Sequence, residues 1–229
     1  MKPIKNTINR SELKAGDIFM EYDSDHHKVI RYAQRLSGNI RYSNFVHGGI
    51  VDSTNTHVIH SSGSDKLTRR KIDSLLDHKE YRIYRPINIT LANKVAKVAE
   101  LLYQNSRIPY NYRIRDLFKI LPTSHSKHAK EQSRQALEHK MQKYLDQKKT
   151  PESYSKDATS YCTELITFVY QYSAIQLGMD HLQVLEIRDN KAIPARLVEI
   201  LKKSPLFKEY KSIERNKKGS GGLSFIRGF

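Results

Sequence analysis

The stretch Asn44-Phe45-Val46-His47-Gly48-Gly49-Ile50-Val51, followed after Asp52-Ser53-Thr54-Asn55 by Thr56-His57-Val58-Ile59-His60, decides how this chain folds. Two short β-rich runs flanking a cluster of turn-forming residues predict an antiparallel hairpin. His47 lies on the first strand and His60 on the second, so closing the hairpin brings two imidazoles onto adjacent strands. His57 and His60 are three positions apart and therefore face opposite sides of the sheet. Only one of them can point at the site of His47, and periodicity alone does not say which.

Upstream, residues 13–20 (Leu-Lys-Ala-Gly-Asp-Ile-Phe-Met) read as a Gly16-Asp17 turn entering a short apolar strand. The spacing of Val29, Ile30, Ala33 and Leu36 predicts a helix over 28–36, stopped by Ser37-Gly38-Asn39. Downstream, residues 81–85 predict a third strand ended by Pro86, and Thr90 is placed to cap a helix running through Leu91, Val95, Val98 and Leu102 to Tyr103. Residues 108–112 read as a loop. From 123 to 156 the composition turns polar and Lys-rich, and only Leu137, Met141, Tyr144 and Leu145 keep helical spacing, which predicts an inserted, mostly exposed helix. Residues 160–177 predict a strongly apolar helix, and 193–201 a helix opened by Pro194 and followed by Lys202-Lys203.

The bulk numbers set bounds on function. With 229 residues and 38% hydrophobic content, the chain supports one sizeable core and hence one domain, expected over 11–207, with a basic Gly/Ser-containing tail over 208–229. The single cysteine, Cys162, excludes an internal disulfide framework and any multi-cysteine zinc site. The N-terminus lacks the apolar core of a secretory signal peptide and no long apolar run appears, so synthesis in a cytosol is expected. The formal charge of +16 would draw phosphate-bearing partners, nucleic acid or anionic lipid surfaces.

Cys162 opens its predicted helix, with Thr159 or Ser160 as cap. A helix start favours the thiolate, and its unpaired amides face the developing charge of a tetrahedral intermediate. A thiolate nucleophile needs an imidazole nearby, and the imidazole needs an orienting group; His47 and one of the two later histidines supply both. The competing reading of Cys162 is a buried structural thiol. Tyr42, just upstream of His47, is a candidate oxyanion donor, and Tyr110, Tyr112 and Tyr154 are candidates to line a groove. His26-His27 and His125/His128 read as solvated histidines rather than metal ligands, because no partner is spaced to join them.

The ordered set 13–18, then Val46-His47-Gly48-Gly49-Ile50-Val51, Val58-Ile59-His60 and Tyr161-Cys162-Thr163-Glu164-Leu165-Ile166, resembles the circularly permuted NlpC-type papain-like family. That family includes lecithin:retinol acyltransferase, its phospholipid-acting relatives and bacterial amidase-like members. The resemblance extends over residues 11–122 and 157–207. It implies an α+β, permuted papain-like fold, with an antiparallel β-sheet or half-barrel packed against helices. It further implies Cys162 as nucleophile, His47 as general base and His60, in preference to His57, as the orienting residue, with no metal or organic cofactor. The histidine in third place matches the acyltransferase branch, whereas Cys162-Thr163-Glu164-Leu165 looks more like the amidase branch. The implied function is a cysteine hydrolase or acyltransferase acting on a small-molecule, lipid or peptide amide, ester or thioester. An anionic membrane surface is the expected macromolecular partner and nucleic acid is not. The competing class is a non-catalytic basic module that binds anionic lipid or nucleic acid. The basic insertion and the missing leader fit a bacterial protein that acts inside another cell.

Overall fold

The computed structural model describes residues 7–22, 28–36, 38, 40–61, 67–76, 80–105, 127–146, 162–187 and 193–212. The expected hairpin forms β3 (Phe45–Val51) and β4 (His57–Ser61), paired antiparallel through Ile50↔Ile59 and Val51↔Val58. Asp52 fixes the turn between them. Its carboxylate accepts from the amides of Thr56 and His57 and from the Thr54 hydroxyl, and Arg69 donates to it from the next strand.

Around the hairpin lie β2 (Ile18–Tyr22), β5 (Leu67–Lys71), β6 (Glu80–Pro86), β7 (Phe207–Ser212) and a two-residue β1 (Thr7–Ile8). The sheet order is β1-β7-β6-β2-β3-β4-β5; six strands run antiparallel and β1 adds to β7 in parallel. The fold is α+β with an open sheet: among the described residues β1 and β5 remain separate edges, so of the expected sheet or half-barrel it is an open sheet that forms.

One face of the sheet, carrying Ile18, Met20, Ile50, Ile59 and Tyr84, packs against α3 (Ile89–Asn105), α5 (Cys162–Gln176) and α7 (Pro194–Lys203). α5 is buried along most of its circumference, as a helix between a sheet and other helices must be. The other face carries Phe19, Val51, Val58, Tyr81 and Ile83 in a smaller core. Gly16 holds a left-handed φ of 77°, and a Cβ there would meet the Ala92 carbonyl oxygen at 2.3 Å, so this turn fits against α3 only as glycine.

Three expectations are revised and a fourth is filled out. α3 begins at Ile89 and is capped by Asn88, whose Oδ1 accepts from the Leu91 amide, rather than by Thr90. The inserted helix, α4 (Lys127–Asp146), forms mostly exposed and docks by its expected stripe: Leu137, Met141 and Tyr144 are buried, and Tyr144 meets Phe168 of α5 edge-on at 5.2 Å. The stripe from Leu137 to Tyr144 suffices to dock it, although its other face is solvated. α1 (Lys28–Leu36) is tied down by buried Gln34, while Leu36 of the expected apolar stripe is exposed. The sheet also runs past both expected boundaries, since β1 precedes residue 11 and β7 crosses residue 207. In β7 the apolar signal is diluted by Lys208, Glu209 and Lys211, whose charges at an edge-proximal strand hide the alternation.

Candidate functional site

The sheet sets the site by register. β2 pairs with β3 so that Glu21 stands opposite His47, Met20 opposite Gly48 and Phe19 opposite Gly49, with a bulge between Glu21 and Tyr22. His47 therefore shares its face with Glu21, Phe19, Val58, His60 and Tyr81, and these side chains surround a small pocket of about 20 Å³, room for a water-sized group.

His47 Nε2 and His60 Nδ1 lie 2.8 Å apart, with the rings edge-on at 82°. His60 Nε2 lies 3.1 Å from Thr68 Oγ1, and the same hydroxyl donates to the His60 carbonyl at 3.2 Å. That donation uses the one hydroxyl proton, so His60 Nε2–H donates to Thr68 Oγ1 and His60 Nδ1 is the acceptor. The acceptor must be filled by His47 Nε2–H, which leaves Nδ1 of His47 as its basic nitrogen. His60 stays neutral: burial, assisted by the charge of Arg70, pushes its pKa down to about 4.

Cys162 is the first residue of α5 and is buried. The amides of Gly48 and Thr163 and its own amide donate to the thiol, so the sulfur lies against the peptide that follows His47. Gly48 permits this approach, because a Cβ there would stand 2.8 Å from Ile166 Cδ1 and Met20 Sδ and 2.9 Å from the Phe19 carbonyl. Gly49 in turn clears the space beside His60: its Cβ would meet Val58 Cγ1 at 2.4 Å and His60 Cβ at 3.0 Å. The glycine pair thus leaves room for Ile166 of α5 against Gly48 and for Val58 and His60 of β4 against Gly49.

The expected thiolate-stabilising helix start is outweighed. Burial pushes the thiol up to about 12, against the three amides and with Glu21 adding to the rise. Cys162 therefore rests as a neutral thiol.

His57, the alternative to His60, sits at the hairpin turn, where its Nδ1 faces Thr56 Oγ1 at 2.8 Å and Asp52 at 3.5 Å. Tyr42 packs on the main core, with Lys202 at 5.5 Å and Arg41 at 5.4 Å from its ring centroid; none of these contacts joins it to the thiol. Tyr110, Tyr112, Tyr154, His26, His27, His125, Thr159 and Ser160 lie outside the described residues.

Four residues of the site carry no signal of their own in the sequence. Glu21 reads as the polar member of an alternating strand, Tyr81 as a β-former, and Thr68 and Arg70 fall in a charged run that does not alternate. Only the register of β2, β4 and β6 brings them to the histidines.

No protein-family model and no curated protein matches this sequence. Among solved structures, the chain is similar to the metalloprotein yiiX from Escherichia coli O157:H7 (DUF1105). The TM-score is 0.45, with 17% identity over 86% of this chain and 96% of that one. Among the described residues no helix is long and apolar enough to cross a membrane.

Proposed function

We propose that this chain is a cysteine-dependent hydrolase or acyltransferase of the permuted papain-like class, with Cys162 as nucleophile, His47 as general base and His60 as the residue that orients His47. The observation that carries the reading is the 2.8 Å bond from His47 Nε2 to His60 Nδ1, in a network whose polarity leaves His47 Nδ1 basic. The Gly48 amide, one residue on, donates to the thiol and supports its nearness to that base.

In the forward step the Cys162 sulfur would bond to a carbonyl carbon as its proton passes to His47 Nδ1, and the carbonyl π electrons would move onto oxygen. The amides at the start of α5 are the donors available to that oxyanion. Collapse would break the bond to the leaving amine, alcohol or thiol, which takes the proton from His47. The resulting thioester would be released by water or another acceptor, deprotonated by the same nitrogen. Because burial keeps the thiol protonated, proton transfer would accompany attack rather than precede it.

The substrate class is a lipid or peptide amide, ester or thioester. Turnover of a panel of p-nitrophenyl acyl esters, acyl thioesters and acyl amides tests the chemistry. Activity abolished by Cys162→Ala and accompanied by a covalent acyl adduct on wild-type protein supports it. Turnover that survives Cys162→Ala, or no turnover and no adduct across the panel, overturns it.

A further inference from the structure

We infer that the outer face of α1, together with the 3₁₀ turn at Ile40–Tyr42, is a docking surface for an anionic lipid bilayer. This goes beyond the proposed chemistry and does not depend on Cys162.

α1 is fastened through Gln34. Buried Gln34 donates to the carbonyls of Ser43 and Phe45 at 3.0 and 2.8 Å, and its Oε1 accepts from the Ala195 amide at 2.7 Å. At 100° per residue, Arg31, Arg35, Lys28, Tyr32 and Leu36 follow one another across an arc of about 140° turned away from Gln34. One flank of this arc is cationic and the other apolar. Tyr32 is 64% exposed and Leu36 59%, and just beyond the helix Ile40 is 70% exposed beside exposed Arg41. These are three of the largest solvent-facing apolar side chains among the described residues, gathered on neighbouring elements.

The cations are held in place. Arg31 Nε donates to Asn44 Oδ1 at 2.9 Å and Arg35 Nε to Ser43 Oγ at 3.1 Å, which keeps both guanidinium groups along the edge of the helix. Lys28, Arg31, Tyr32 and Arg35 together line a broad, open depression.

Nucleic acid would engage the cations and stack on Tyr32, but it gives Leu36 and Ile40 nothing to enter. A bilayer interface uses every member: anionic headgroups attract the cations while the aromatic and aliphatic side chains enter the headgroup–acyl boundary. The charge of +16 favours an anionic surface over a neutral one.

The chain has no tryptophan, so a single introduced tryptophan reports insertion without background. The full chain is mixed with vesicles of phosphatidylcholine alone or of phosphatidylcholine with phosphatidylserine, and partition is read by sedimentation. The wild type is expected to bind the anionic vesicles and to release in high salt. K28E/R35E and, at unchanged charge, Y32S/L36S/I40S are each expected to lower partition roughly tenfold or more. K71E/K97E, an equal charge change on exposed lysines elsewhere, is expected to lower it far less. Tyr32→Trp should blue-shift on anionic vesicles, and Leu101→Trp, on a partly exposed position of α3, should not. Thermal melts establish that each variant is folded. The inference is overturned if K71E/K97E weakens binding as much as K28E/R35E, or if Y32S/L36S/I40S binds like the wild type. It is equally overturned if Tyr32→Trp stays unshifted, or if the α1 variants weaken binding to a DNA duplex while vesicle partition is unchanged.

Discussion

His47 and His60 are joined by one hydrogen bond, 2.8 Å from Nε2 to Nδ1, across the two strands of the hairpin that the sequence announces. Its direction is set one residue further out, by the Thr68 hydroxyl that spends its proton on the His60 carbonyl. His60→Asn keeps an acceptor near the position of Nδ1 and His60→Ala does not. Turnover is expected to fall about 10- to 100-fold or more in His60→Ala and to be partly restored in His60→Asn, as for other residues that orient a functional imidazole. Equal loss in the two variants would show that acceptor capacity is irrelevant.

Thr68→Val preserves shape and removes the hydroxyl. His60 Nε2–H then loses its acceptor in a buried setting, at a cost of about 1–3 kcal/mol. Urea unfolding checks the stability, and the turnover of the folded variant checks whether His47 still presents a basic Nδ1.

Glu21 faces His47 in register and adds to the rise of the thiol. Removing its charge in Glu21→Gln is expected to move the pH midpoint of Cys162 alkylation downward. An unchanged or higher midpoint would mean that the carboxylate does not act on the thiol.

Two acid-sensitive windows are expected, and they do not coincide. His60 has a folded pKa of about 4 against an ordinary 6.5, so the unfolded chain binds the extra proton. Stability contributed by the neutral form is therefore lost as pH falls from about 6.5 towards 4. Asp52 is held below its ordinary 3.8; burial alone would raise it, but Arg69, Thr54 and the His57 amide outweigh that. Its contribution is present above 3.8 and is lost only as pH falls through the lower folded value. Denaturant midpoints measured across this range should lose the upper window in His60→Asn and the lower one in Asp52→Asn. Asp52→Asn should also cost about 1–3 kcal/mol at neutral pH, since it weakens the charged acceptor of the hairpin turn.

Gly48→Ala places a methyl against Ile166, Met20 and the Phe19 carbonyl. The side-chain ends can yield, but the carbonyl belongs to a paired strand, so α5 is expected to shift and the variant to lose about 1–3 kcal/mol. Cys162 starts that helix, so turnover should fall further than stability does.

The elements with a clean period were legible in the sequence: the hairpin, the strand into Phe19, α5, and α7 with Pro194 at its first turn. The pairing of the histidines followed from the hairpin, and the choice of His60 over His57 from resemblance. The alternation rule put the two on opposite faces, and the structure puts His57 at the turn. β5 and β7 were hidden because charged residues occupy their exposed positions, and with β5 hidden Thr68 could not be placed behind His60. The thiol's high pKa was illegible for a different reason. A helix start is a local feature, whereas burial at Cys162 is built by the sheet and by the helices packed around α5. Leu36 shows the converse: its spacing marked it for the core, but the helix is anchored by Gln34, and three hydrogen bonds from one polar side chain leave no periodic trace.

The most direct test is the rate at which iodoacetamide alkylates Cys162, followed by intact mass from pH 5 to 10 in wild type, His47→Ala and His60→Ala. The lone cysteine makes every adduct unambiguous. A coupled site predicts alkylation near pH 7 far faster than a thiol held up at about 12 allows, with that rate lost in His47→Ala and reduced in His60→Ala. A slow rate that rises only at alkaline pH and is the same in all three proteins would contradict it.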